Sequence, residues 1–244
     1  MLAPDKRQNF WSRHSPLLDP NTLAQKSILT PFQKEVFLTV VEEELIRDNF
    51  YFSGGTALAE FYLKHRYSED LDFFTDREFS YPQIIAMLKP QMDNLGVDGF
   101  ESRSAGGAKL FFLKKADQTK LKVEFNYFPF KRLKKGQEFH RVAIDSLLDI
   151  AVNKLNAILS RQHARDYIDL YFILKNETFS WSEIITGVKE KFSWQIDLLD
   201  LATRIDQIDR LHDYPKMIKQ FSRAEMINFY KNQAAKFNEE IFKE

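Results

Sequence analysis

The sequence predicts an α+β protein, a mixed half of helices and strands followed by an all-helical half. Two observations carry this. Up to about residue 130, segments of helical period alternate with short aromatic or β-branched runs, and three strand-like runs close that half. From about Ile144 onward every long segment has the 3.6-residue period. The expected organisation is an N-terminal arm over 1–29, a mixed domain over 30–137 and a helical domain over 138–244. The join lies near the basic stretch KRLKKGQEFH.

The elements can be justified in chain order. In PFQKEVFLTVVEEELIRD, Phe32, Val36, Phe37, Val40, Val41 and Leu45 recur at helical spacing, with Thr30 as N-cap and Pro31 in the first turn. Asn49 to Phe52 reads as a strand running into Gly54-Gly55, after which TALAEFYLKH returns to helical composition. Leu71 to Phe74 is a second strand. YPQIIAMLKPQMDNLG is a helix interrupted near Pro90. VDGFESR, AKLFFLKK and KLKVEFNYF follow as strands. The helical half contains SLLDIAVNKLNAILSRQ, ARDYIDLYFILKN, SWSEIITGVKEKF, QIDLLDLATRI and AEMINFYKNQAAKFNEEIF.

Composition narrows the function classes. Lys+Arg and Asp+Glu both total 35, so no global field drives the chain toward nucleic acid or acidic lipid, and any such binding must come from local patches. The absence of cysteine removes disulfides and thiolate metal sites and fits a reducing compartment. No apolar run approaches the roughly 20 residues needed to span a bilayer. The N-terminal MLAPDKRQNFWSRHS lacks the apolar block of a signal peptide. A cytoplasmic protein without membrane partners is expected. None of the five histidines recurs at metal-ligand spacing, which argues against zinc. The lysine- and arginine-rich runs at 114–115, 120–122 and 131–135 suit either an RNA backbone or a solvated surface.

The chemistry concentrates in YFSGGTALAEFYLKHRYSEDLDFFTD, residues 51–76. Strand side chains alternate, so Asp70 and Asp72 point one way while Leu71 and Phe73 point into the core. Two carboxylates held side by side repel unless a cation sits between them, and hard oxygen donors favour Mg²⁺ or Mn²⁺. Gly54-Gly55-Thr56 stands between strand and helix, where bare N–H groups can approach a phosphate. A third carboxylate is expected from a neighbouring strand. Glu124 in KLKVEFNYF supplies it, with Lys122 on the same face. Lys154 and Arg161 share a helical face, Asp166 and Asp169 project together from the next helix, and Arg165 is spaced for an i,i+4 bridge to Asp169.

Gly54-Gly55-Thr56, Arg66, Ser68-Glu69-Asp70-Leu71-Asp72-Phe73, Lys122-Val123-Glu124, Lys154 and Arg165-Asp166-Tyr167-Ile168-Asp169 together resemble the AbiEii/AbiGii-type toxin nucleotidyltransferases, within the polymerase-β-like superfamily. The resemblance covers roughly residues 50–175. It implies a polymerase-β-like nucleotidyltransferase domain followed by the helical domain, with Asp70, Asp72 and Glu124 holding Mg²⁺ or Mn²⁺. It also implies nucleotide contacts from Gly54, Gly55, Thr56, Arg66, Ser68, Lys122, Lys154, Arg165 and Asp169, with Asp166 assisting nucleotide placement or proton removal. The implied substrate is an NTP, the implied acceptor a tRNA end first and a protein hydroxyl second, and the implied partner an antitoxin. Two other readings stand beside it: a nucleotide- or antitoxin-binding module without turnover, and a phosphohydrolase using the same metal site.

Overall fold

A computed structural model describes residues 27–176 and 179–241. The arm expected over 1–29 lies outside the described residues as far as residue 26. Thr30 caps α1 (Pro31–Val41) in a reciprocal capping box with Gln33. The single helix expected over 31–48 is two, because the chain breaks at Glu42-Glu43 and restarts as α2 (Glu44–Asn49). Then come β1 (Tyr51–Ser53), α3 (Gly54–Leu58) with a π-helical turn over Ala59–Leu63, and β2 (Asp70–Thr75). They are followed by α4 (Tyr81–Leu88), β3 (Gly99–Ala105), β4 (Ala108–Lys114) and β5 (Lys120–Tyr127).

Two further strands, β6 (Glu138–Phe139) and β7 (Val142–Ile144), lie in the stretch that the sequence reading counted with the helical half. Their hairpin turns at His140 and Arg141 with φ of 47° and 65°. Such a turn is normally announced by Asn-Gly, and strands of two and three residues carry no readable alternation. The seven strands form one sheet in the order β3-β4-β5-β2-β1-β7-β6. The sheet therefore ends at Ile144, and the helices begin with α5 (Leu147–Ser160).

The alternation of β2 and β5 divides the sheet into two faces. Leu71, Phe73, Val123 and Phe125 are fully buried on one. There Phe37 of α1 packs against Phe52 and Phe73, with ring centroids 4.7 and 6.1 Å away, and Phe73 stacks on Phe125 at 5.4 Å. Each buried phenylalanine contributes about 1.5–3 kcal/mol by leaving water, so this layer is the main source of cohesion in the mixed half.

The other face carries Ser53, Asp70, Asp72, Lys122 and Glu124, and α5 runs across it. α5 packs on α6 (Ala164–Lys175) and α7 (Trp181–Phe192), while α8 (Leu198–Asp206) packs on α9 (Arg223–Ile241). Tyr230 of α9 donates its hydroxyl to the Tyr167 carbonyl at 2.7 Å, and Tyr167 donates to the Arg204 carbonyl at 2.9 Å, joining α9, α6 and α8.

The segment between α8 and α9 returns to the mixed half as a backbone strap. Arg66 and Met217 form an antiparallel bridge. Tyr67 N–H donates to the Lys216 carbonyl, and the N–H groups of Ile218 and Lys219 donate to the His65 carbonyl, at 2.9, 2.9 and 3.0 Å. No helix among the described residues is long and apolar enough to cross a membrane.

Candidate active site

Between the polar face of the sheet and the helical half lies a cleft of about 880 Å³. Its floor is the junction of β1 and α3, one wall is β2 and β5, and the other is α5 and the start of α6, with residues 213–216 at the rim.

The register of β2 and β5 builds the first wall. They are parallel neighbours, with Asp70 beside Lys122 and Asp72 beside Glu124. One lateral pair is therefore opposite in charge and the next is alike. The Lys122 ammonium bonds to Asp70 Oδ2 at 2.8 Å and Glu124 Oε1 at 2.5 Å. Asp72 receives no such bond. Its carboxyl is pushed up to about 7, first by burial and then by Glu124 and Asp70, with Lys122 and Lys154 pulling the other way. Among the described residues no three of His, Cys, Asp and Glu are grouped so as to share a metal ion.

The glycine pair makes this wall possible. Gly54 has φ of +78°, and a Cβ there would lie 2.6 Å from Asp72 Oδ2. A Cβ on Gly55 would lie 2.3 Å from Arg66 Nη2. Beyond any approach of phosphate, the two glycines let an acidic and a basic side chain press on the backbone of the strand-helix junction. Ser68 lines the cleft beside Gly55. Thr56 is buried and does not line it; its hydroxyl donates to the Asp70 carbonyl and ties α3 to the start of β2.

On the opposite side the cations are held by two aspartates. Arg66 grips Asp169 through two bonds, Nε to Oδ1 at 2.6 Å and Nη2 to Oδ2 at 2.8 Å. Lys154 bonds to Asp169 Oδ2 at 2.7 Å and Asp166 Oδ1 at 2.8 Å. Arg161 Nε reaches Asp166 Oδ2 at 3.0 Å. His65 Nε2 lies 2.7 Å from Asp169 Oδ1, and its pKa is lowered, chiefly by burial. Burial alone would raise both carboxyls. Arg66 and Lys154 outweigh it at Asp169 and hold that group well below the usual range, and Lys154 and Arg161 do the same, less strongly, at Asp166.

Asp169 is fully buried behind the cleft, whereas Lys154, Arg66 and Asp166 line it. The i,i+4 bridge from Arg165 to Asp169 is not made. Arg165 is exposed on the cleft rim, without a side-chain ion pair to any described residue.

Several residues of the site escaped sequence reading. Tyr67, 42% exposed, lies at the rim with Lys216 Nζ 5.1 Å from its ring centre. Tyr214 and Lys216 come from the strap, far along the chain, and no local pattern announces them. Beneath the floor, fully buried Asp145 accepts from the Ser53 hydroxyl at 2.7 Å and from the Asn153 amide at 3.3 Å. Its carboxyl is pushed up to about 6, mainly by burial, against the pull of Lys191. Asp145 directly follows β7, so missing that strand hid its position under the floor.

A mixed sheet with acidic neighbours on its polar face and a helical half closing the cleft is a nucleotidyltransferase fold. Two Helicobacter pylori crystal structures share it. One, assigned as a nucleotidyltransferase, gives a TM-score of 0.56 at 20% identity, covering 86% of this chain and 95% of its own. The other, JHP933, gives 0.53 at 19% identity, covering 86% and 92%. The aq_aa25 protein of Aquifex aeolicus (strain VF5), itself uncharacterised, is 31% identical over 161 residues, 66% of this chain and 74% of the relative. Residues 37–239 match the profile of the nucleotidyl transferase AbiEii toxins of type IV toxin–antitoxin systems. The chain belongs to that family, and it is a nucleotidyltransferase.

Proposed function

We propose that the cleft transfers a nucleotide from an NTP to an acceptor hydroxyl, with Mg²⁺ held by Asp70, Asp72 and Glu124. The observation that carries this reading is the register of β2 on β5, which lines three hard oxygen donors along one wall opposite a wall of cations. The raised pKa of Asp72 supports it, since a carboxylate crowded by two others is a group whose ionised form a divalent cation would stabilise. When bound, Mg²⁺ supplies positive charge beside the triphosphate and the attacking hydroxyl.

The chain's own residues do the rest. The N–H groups of Gly54 and Gly55 and the hydroxyl of Ser68 face the phosphates, and Lys154 and Arg66 offset their charge. Asp166 and Asp169 fix those cations. Asp166 is ionised and doubly paired, which suits positioning of Lys154 better than proton removal. The acceptor oxygen gives up its proton to solvent and bonds to the α-phosphorus as the bond to pyrophosphate breaks.

The acceptor we favour is a tRNA end. Arg165, Lys216 and Tyr67 on the rim suit a backbone phosphate and an unstacked base. Membership of a toxin–antitoxin family makes a cognate antitoxin the expected protein partner.

The test is to incubate the protein with Mg²⁺, each α-³²P-labelled NTP in turn, and total RNA plus protein extract, beside Asp72→Ala. Label should move to RNA with the wild type only. Label on protein would redirect the acceptor. Label on nothing, with Mn²⁺ also tried, would favour a binding module, and release of labelled nucleotide without an acceptor would favour a phosphohydrolase.

A further inference from the structure

Lys122 is a cation set inside the acidic wall of the cleft. Its two ion-pair partners are Asp70 and Glu124, and both bonds end on carboxylate oxygens that the wall would offer to a metal. The β2–β5 register dictates this, because residue 122 lies beside Asp70 and one strand repeat before Glu124 on the same face. Asp72, beside both acids, makes no ion pair with any described residue.

An ammonium and a divalent ion cannot comfortably share the same two oxygens. They repel each other, and an oxygen lone pair directed at a metal is withdrawn from an N–H. With the ammonium in place, the three acids are not grouped on one point among the described residues. The way out is open, since the Lys122 side chain is 28% exposed and its flexible stem leaves without disturbing the buried face of the sheet.

We propose that Lys122 is an exchangeable internal counter-cation. It holds Asp70 and Glu124 in the free protein, and a divalent cation binds by displacing its ammonium into the cleft, where the oxygens of a triphosphate receive it. This rests on the carboxylate wall being a metal site, as proposed above. It adds that the metal binds weakly without nucleotide, and that nucleotide and metal each tighten the other by the same factor, because the nucleotide gives the lysine somewhere to go.

The experiment is Mn²⁺ titration followed by loss of the free-ion EPR signal, on the full-length wild type, Lys122→Met, Lys122→Arg and Asp72→Asn, without nucleotide and with α,β-methylene analogues of the four NTPs. Lys122→Met should bind Mn²⁺ alone about tenfold more tightly than wild type, and its gain from nucleotide should shrink by about the same factor. Lys122→Arg, which keeps the charge, should stay close to wild type. Equal or weaker Mn²⁺ binding by Lys122→Met overturns the inference, as does a Lys122→Arg protein that binds as tightly as Lys122→Met. If neither the wild type nor Lys122→Met takes up Mn²⁺, with or without analogue, the metal reading of the wall falls and this inference with it. If all variants bind but Asp72→Asn is unimpaired, Asp72 is no ligand and the exchange is overturned as drawn.

Discussion

Two charged clusters face each other across one cleft, and they are built on opposite principles. The β2–β5 wall sets three carboxylates against one ammonium, half-exposed, with Asp72 pushed up to about 7. The knot on α5 and α6 sets Asp166 and Asp169 against Lys154, Arg66 and Arg161, with both carboxyls held low. In the wall, carboxylates outnumber the one ammonium; in the knot, both carboxylates are bonded to cations and fix them to the chain. Ionisable residues of one pocket thus divide into crowded like charges and groups locked by opposite charge.

The sharpest way to break this contrast is to remove one acid from each side. Asp169→Ala strands Arg66 in the interior and leaves Lys154 with Asp166 alone, and urea unfolding should show a loss of about 3–5 kcal/mol. Asp72→Ala should abolish transfer while costing less than about 1 kcal/mol, since it relieves repulsion. A similar loss of stability in both would erase the distinction.

The knot and the buried acid beneath the floor should part with pH. Asp166 and Asp169 are depressed in the fold, so their contribution is present above the ordinary carboxylate range and is lost as pH falls toward their folded values. Asp145 behaves in the opposite sense. Its carboxyl is raised to about 6, so its contribution is full below the unfolded value near 4 and is lost as pH rises through about 6. Relative to wild type, Asp145→Asn should therefore gain about 2 kcal/mol between pH 4.5 and pH 7.5, read as the shift in urea unfolding. A constant difference across that range would mean that Asp145 is not the buried acid described here.

The smallest effect is expected at the rim. Arg165→Ala should change stability by less than about 0.5 kcal/mol, as expected for an exposed side chain without an ion pair to described residues, and should weaken acceptor binding in a way that fades with added salt. An unfolding change as large as that of Asp169→Ala would place Arg165 in the knot after all.

Much of this was legible in the sequence because it is periodic or local. The alternation of Asp70, Leu71, Asp72 and Phe73 fixes which side chains face the cleft, and the α+β division follows from the change in period near residue 144. What was not legible depends on distant partners. Thr56 and Asp169 are spaced like ligand-contacting residues but face inward, Thr56 toward the Asp70 carbonyl and Asp169 toward Arg66 and Lys154. β6 and β7 are too short for periodicity, and their turn lacks glycine and asparagine. The rim contributed by Tyr214 and Lys216 joins His65 and Tyr67 across some 150 positions, a pairing no local signal can reveal.

That strap bears on when the protein becomes competent during its own synthesis. The loop that carries Arg66 is synthesised well before its backbone partners at 216–219. A nascent chain that has already folded its sheet still lacks one edge of its cleft. The cleft gains that edge only once synthesis has passed residue 219.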